Sequence, residues 1–472
     1  MKNAELIFVP APVRGHLISM VELAKLLINR NESISVTILI MKFPYDAGVS
    51  SYMDSLSNDP IPRCSILEIP PSNSESYKSQ SYHTMISTFI AGHFTNVKNE
   101  VIAMTQPDRS TRLAGFVLDI FCVSMVDIAK ELNVPAYVYL TSGASYLGIL
   151  LHLQAMTDYQ NKDISEYQDS DAQLSVPYYK NLVPANVLPA ICLDEKGSEV
   201  TLSWGRKLRE TKGIIVNTFV ELETYAVQSL VVDTTEIPLV YAVGPNLNLT
   251  SVGQDIDEAA DVFTWLDEKP LSSVVFLCFG SYGSFLEDQV KEIALALEHS
   301  GHPFLWSLRP SGIDSNLNKY ANLDDMLPPG FLERTSGTGK IIGWAPQVAV
   351  LSHRAVGGFV SHCGWNSILE SVWFGVPVAT WPLYAEQQLN AFEMVNELEM
   401  AVDISIDYDT FSKNTVIIEA KIIESKIREL MKDGSDIRNR VTEIQRKSRA
   451  AIAETGSSYN NLGRLIEDII AA

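Results

Sequence analysis

The chain has 472 residues, 46% of them hydrophobic and 20% charged, and its 57 Asp and Glu against 36 Lys and Arg give a formal charge of −21. That length calls for two or three domains, and that composition excludes a globally disordered chain. The acidic balance excludes nucleic acid and anionic membrane as partners, so an anionic ligand has to be held by local donors rather than by the overall field.

The first half opens with a strand-like run, "ELIFVP", a short loop, "APVRG", and a helical pattern, "HLISMVELAKLLINR". The apolar stretch here is too short and too broken by proline for a signal peptide. Further β-rich runs follow, "SVTILIM", "AGFVLDIF", "AYVYLT" and "GIIVNT", with helical patterns such as "SMVDIAKELN" between them. Near-continuous apolar strands alternating with helices predict a buried parallel sheet. A long loop, "YQNKDISEYQDSDAQLSV", reads as a pocket cover. The alternation pauses at "VGPNLNLTSVGQDIDEAAD", whose Gly, Asn, Asp and Ser mark a linker.

It then restarts with "SSVVFLCFGS", the helix "EDQVKEIALALEHS", and the runs "PFLWSL", "KIIGW", "VGGFVSH" and "VPVATWPL". A second long loop, "RPSGIDSNLNKYANLDD", interrupts this half, and the tail "NNLGRLIEDIIAA" is an amphipathic helix. The two halves repeat one architecture. The expectation is therefore an α/β protein with two Rossmann-like parallel-sheet domains facing each other across a cleft: residues 1–245, a linker at 246–258, residues 259–455, and a helix at 456–472 packing back on the first domain. No run of about 18 apolar residues occurs, so no membrane span is expected. The five cysteines (Cys64, Cys122, Cys192, Cys278 and Cys363) are odd in number and widely spaced. They read as reduced thiols, with a cytoplasmic location expected.

Two residues of the first half stand out. His16 begins the first helix, where the free N–H groups disfavour an imidazolium. A neutral imidazole there is suited to act as a general base, although position alone fits an inert helix-end histidine equally well. Asp119 interrupts an apolar strand, and a buried carboxylate is costly without a partner. It either caps a neighbouring turn or holds a base. Both residues lie at carboxyl ends of parallel strands, so they can meet across the top of the sheet.

In the second half, "SHCGWNSILE" follows the strand "GGFV". "CG" is the turn, and Ile368, Leu369, Val372 and Trp373 have helical spacing. Polar groups thus gather at a helix N-terminus after a parallel strand, which is where open α/β sheets bind ligands and where phosphate is favoured. A ligand-free alternative is that Ser367 and Glu370 form a capping box. His362 and Cys363 make no metal site, because adjacent residues rarely share one ion and no second His/Cys pair occurs.

The stretch from Trp344 to Gln387, "WAPQVAVLSHRAVGGFVSHCGWNSILESVWFGVPVATWPLYAEQ", closely resembles the signature box of plant secondary-product UDP-glycosyltransferases, inverting family 1 enzymes of GT-B fold. The likeness extends through "PAPVRGHL", "GFVLDIFC" and "LCFGS", and "AKLLINR" with "SVTILIMKFPYD" resembles the subgroup acting on flavonoids, other phenolics and triterpenes. The resemblance implies that Trp344 stacks on uracil and Ala345 meets it through the backbone. Gln347 and Glu370 would bind the ribose hydroxyls. His362, Asn366, Ser367 and Ser281 would hold the diphosphate, with Gly364 allowing close approach. Trp365, Glu386 and Gln387 would contact the sugar, and Thr141 would reach it from the other domain. Gln387 at the end of the box goes with glucose.

By the same resemblance, His16 is the base and Asp119 orients it. The implied reaction is transfer of glucose from UDP-glucose, with inversion, to a hydroxyl of a small lipophilic acceptor, by a monomer needing no metal or cofactor. The acceptor would sit near Phe121, Tyr146 and "SYHTMISTFIAGHF", with Tyr282, Phe285 and Tyr384 closing the pocket. Two departures from the family pattern are Arg354 after His353 and the pair Val13-Arg14 beside the expected base. A nicotinamide-dependent oxidoreductase fits less well, since no G-x-G-x-x-G follows either first strand and "GSYGSF" is only a partial glycine loop. A UDP-sugar-binding protein without chemistry would have no use for both His16 and Asp119.

Overall fold

The computed structural model describes residues 3–44, 47–72, 76–79, 82–104, 111–232, 237–249, 259–309, 326–410 and 416–471. Residues 250–258 of the expected linker, 310–325 of the second long loop and Ser81 lie outside these, as do the side chains of Tyr82 and His83. The chain divides into two compact units, one of residues 1–185, 190–248 and 450–472, the other of residues 186–189 and 249–449.

The first unit is built on a seven-stranded parallel sheet. Its strands are β1 (Asn3–Val9), β2 (Ile34–Ile40), β3 (Cys64–Glu68), β4 (Thr111–Asp119), β5 (Ala136–Leu140), and then, beyond a two-stranded antiparallel pair of β6 (Gln173–Leu174) and β7 (Val183–Pro184), β8 (Gly213–Val216) and β9 (Leu239–Ala242). The order across the sheet is β3-β2-β1-β4-β5-β8-β9. The interior strands are buried along most of their length, which is why they read as unbroken apolar runs. One face packs Leu6, Phe8, Ile38 and Val117 with Leu17 and Met20 of the Arg14–Arg30 helix. The terminal helix Ser457–Ala471 joins the same core through Leu462, Leu465, Ile466 and Ile469. Tyr241 hydrogen bonds to Asp468, and the Arg30 guanidinium lies 3.3 Å from the centroid of the Tyr459 ring.

The second unit holds a six-stranded parallel sheet: β10 (Val274–Cys278), β11 (Phe304–Ser307), β12 (Gly339–Ile342), β13 (Val356–Ser361), β14 (Val378–Thr380) and β15 (Ala401–Asp403), in the order β12-β11-β10-β13-β14-β15. The glycines of "VGGFV" have a packing reason. A Cβ on Gly357 would lie 2.1 Å from the Ser272 carbonyl oxygen, and one on Gly358 would lie 2.7 Å from Leu430 Cδ2.

Each chain trace reverses once. It winds outward from β1 to β3 and returns to β4, and it winds from β10 to β12 and returns to β13. These reversals open a crevice at the carboxyl ends of β1 and β4 in one unit and of β10 and β13 in the other. The strands β3, β9 and β15, which the sequence patterns did not single out, are all sheet edges. Among the described residues, no helix is long and apolar enough to cross a membrane.

Candidate active site

In the first unit, His16 and Asp119 meet at the reversal. His16 is the third residue of the Arg14–Arg30 helix, which starts just after β1, and Asp119 is the last residue of β4. His16 Nδ1 lies 2.8 Å from Asp119 Oδ2, and the Asp119 side chain is fully buried. The other carboxylate oxygen, Oδ1, accepts from Phe121 N at 3.0 Å and so caps the short helix Ile120–Met125. One carboxylate oxygen thus caps the turn and the other meets His16. A proton on Nδ1, facing the carboxylate, makes Nε2 the basic nitrogen. Phe121 sets its ring edge-on to His16 at 5.1 Å and is itself braced by Trp204 at 5.0 Å.

Thr141 belongs to this cluster, since its Oγ1 lies 3.2 Å from His16 Nδ1. The turn that carries it is fixed by a residue the sequence reading missed. Buried Glu223 accepts from Ala144 N at 2.9 Å, and from Ser145 N and Ser145 Oγ at 2.8 Å each. Its carboxyl oxygens take the place of a side-chain cap at the start of the Ala144–Gln160 helix, whose N-cap is Gly143. Tyr146 lies two residues into that helix and is buried.

In the second unit, the expected nucleotide residues occupy the loops and helices that follow β10, β12, β13 and β14. Trp344 comes two residues after β12 and is 37% exposed, whereas Ala345 is buried. Gln347 opens the next helix, and its Nε2 donates to Ser367 Oγ at 2.8 Å and to Glu370 Oε2 at 2.6 Å. Burial pushes the Glu370 carboxyl up to about 7, with the Gln347 hydrogen bond opposing.

The capping box is not formed. The helix runs Trp365–Phe374 with Gly364 as its N-cap, so Ser367 sits inside the first turn and its hydroxyl meets Gln347 instead. No side chain caps this helix start, whose N-terminus is of the kind that favours an anion.

His362 is buried beside this turn, wedged against two glycines. A Cβ on Gly280 would lie 2.7 Å from its Nε2, and one on Gly364 would lie 2.6 Å away. Burial pushes the His362 imidazole down to about 4, only partly opposed by the Cys278 backbone. It is therefore a neutral hydrogen-bonding ring near pH 7. Its Nδ1 is buried with no partner among the described residues. Trp365 is buried and Asn366 half-buried in the first turn of the helix.

Glu386 and Gln387 open the helix after β14, following Ala385 in a left-handed conformation with φ 59°. Gln387 Oε1 accepts from Leu383 N at 2.9 Å and from Tyr384 N at 3.1 Å. Arg309, absent from the sequence reading, ties two of these loops together. Its Nη1 donates to the Ser281 carbonyl at 2.5 Å and its Nε to the Gly343 carbonyl at 3.3 Å. Phe285, expected to help close the acceptor pocket, is buried in the second core between Phe279 at 4.7 Å and Trp381 at 5.0 Å. Tyr282, by contrast, is 56% exposed.

Two Rossmann-like units of this kind define a GT-B protein, and comparison with known structures agrees. A transferase from Siraitia grosvenorii solved with UDP superposes with a TM-score of 0.87 at 42% identity, covering 99% of this chain and 100% of the other. UGT71G1 from Medicago truncatula, solved with UDP-glucose, gives the same TM-score at 40% identity, covering 99% and 98%. The family model for UDP-glucoronosyl and UDP-glucosyl transferases matches residues 258–430. UDP-glycosyltransferase 1 of Panax ginseng is 54% identical, covering 99% of this chain and all of that protein. A putative UDP-glucose flavonoid 3-O-glucosyltransferase of Fragaria ananassa is 50% identical over the same shares. The chain belongs to the plant family 1 UDP-glycosyltransferases.

Proposed function

We propose that this glycosyltransferase moves glucose from UDP-glucose to a hydroxyl of a small lipophilic phenol or terpenoid, with inversion at the anomeric carbon. The observation that carries the chemistry is the His16–Asp119 pair at 2.8 Å. The acceptor hydroxyl gives its proton to His16 Nε2 while its oxygen forms a bond to the anomeric carbon. The bond from that carbon to the diphosphate breaks, and UDP leaves with the electron pair. Asp119 stabilises the imidazolium formed, which then returns its proton to solvent. Attack from the face opposite the leaving group accounts for inversion. The donors at the Trp365–Phe374 helix start, with His362, offset charge on the departing UDP, so no step here is routed through a metal.

The choice of glucose rests on Gln387 and on the relatives, one of which carries UDP-glucose in its solved structure and another of which is named for flavonoid glucosylation. The acceptor class rests on the same relatives and on the aromatic surroundings of His16. The test incubates the protein with a phenol and, in turn, UDP-glucose, UDP-galactose and UDP-xylose. Release of UDP and the glycoside mass are followed, and the product's anomeric configuration is read by NMR. A β-glucoside formed fastest from UDP-glucose is expected. Faster turnover of another sugar overturns the donor assignment, and UDP binding without product overturns the transferase reading.

A further inference from the structure

We propose that Asn390 is a positioning residue for the diphosphate, acting through the backbone of Cys363; this rests on the reading of the Trp365–Phe374 helix start as the diphosphate site. Cys363 sits in the turn between β13 and that helix with φ 63°, a left-handed conformation that a residue with a Cβ rarely adopts. Strain of this kind persists only where the surroundings over-determine it. Three contacts, to Ser361 and Asn390, help to do so here. Cys363 N donates to Ser361 Oγ at 3.1 Å, Cys363 Sγ meets the Ser361 carbonyl at 3.4 Å, and Asn390 Nδ2 donates to the Cys363 carbonyl at 3.0 Å. Two of the three come from a residue two positions away in sequence. Asn390, 1% exposed in the Gln387–Phe392 helix, reaches the turn from another element and takes its backbone carbonyl, whereas the Trp381 backbone N–H, which also comes from another element, meets only the Cys363 thiol.

The consequence follows from the planarity of the peptide. The carbonyl of Cys363 and the N–H of Gly364 belong to one trans unit and point in opposite directions. Asn390 holds the carbonyl on its own side and thereby aims the Gly364 N–H the other way. Gly364 is also the N-cap, so the same peptide sets the direction in which the helix begins. A lost clamp lets the Cys363–Gly364 peptide rotate, and the diphosphate then meets a carbonyl oxygen where it needs a donor. The Asn390 helix also begins with Gln387, so one element carries the residue expected to read the sugar and the one that aims the phosphate turn.

The experiment measures UDP and uridine affinity by titration calorimetry on the full chain, with the KM values for UDP-glucose and acceptor taken alongside. Asn390→Ala is expected to weaken UDP about tenfold or more, the size of a lost hydrogen bond in a charged site. Uridine binding and the acceptor KM should not change, whereas the UDP-glucose KM should rise with UDP. In a Cys363→Gly background the loss from Asn390→Ala should be smaller, because glycine adopts the left-handed conformation without a clamp. Where Asn390→Ala does not fold, Asn390→Ser takes its place, since its hydroxyl falls short of the Cys363 carbonyl. Unchanged UDP affinity, or equal loss for UDP and uridine, overturns the role of Asn390. Failure of the wild-type chain to bind UDP overturns the nucleotide reading itself.

Discussion

Glu370 is a carboxyl whose proton is held on folding. Burial lifts it from the ordinary 4.5 to about 7. Its stability contribution is fully present below pH 4.5 and is lost as pH rises through 7, so its ionisation opposes folding at neutral pH. A ribose diol donates two hydrogen bonds to the ionised form and favours it. UDP binding at pH 6.5 is therefore expected to release a proton from Glu370, and affinity should improve by up to about tenfold from pH 6 to pH 8. Calorimetry in buffers of different ionisation heat checks this, with Glu370→Gln removing the contribution of this carboxyl and leaving that of the phosphate. Equal proton release in both proteins contradicts it. Glu370→Ala should weaken UDP without a capping penalty, since Gly364 is the N-cap.

Between elements, close packing decides what "VGGFV" tolerates. A Cβ on Gly357 meets the Ser272 carbonyl oxygen at 2.1 Å, and backbone cannot give way cheaply. The contacts at Gly358 are Leu430 and Met431 side chains, which can shift. Gly357→Ala is expected to cost about 1–3 kcal/mol, and Gly358→Ala less. Thermal unfolding measures both, and an equal or reversed order contradicts the packing account. The same scale explains what could be read in advance. Interior strands such as β1, β5 and β13 were legible because both faces are buried and the run is continuous. The edges β3, β9 and β15 were not, being short and, in Cys64–Glu68, only partly buried. Most of the expected nucleotide residues, Ser281 and Thr141 apart, could be named from sequence because they lie in one stretch from Trp344 to Gln387. Glu223, Arg309 and Asn390 were not, because each acts on a backbone group far away in sequence, and nothing in its own neighbours marks that contact.

For the whole molecule, chain order does not match physical grouping, since the last helix belongs to the unit that contains the first strand. Leu462, Leu465, Ile466 and Ile469 enter the first core, each contributing about 1.5–3 kcal/mol of burial as an upper estimate. That sum rivals the net stability of about 5–15 kcal/mol typical of a domain, so a chain ending at Gly456 should melt well below the full protein. An unaltered melting curve contradicts this. The central claim is the division of labour, with the base in one unit and the nucleotide residues in the other. It is tested most directly by initial rates for wild type and His16→Ala across acceptors of graded hydroxyl pKa, with UDP affinity measured separately. The account expects a loss of about 10²–10⁴-fold on weakly acidic alcohols, a smaller loss on acidic phenols that are already partly ionised, and unchanged UDP affinity. Near-normal rates of His16→Ala on a weakly acidic alcohol would contradict it.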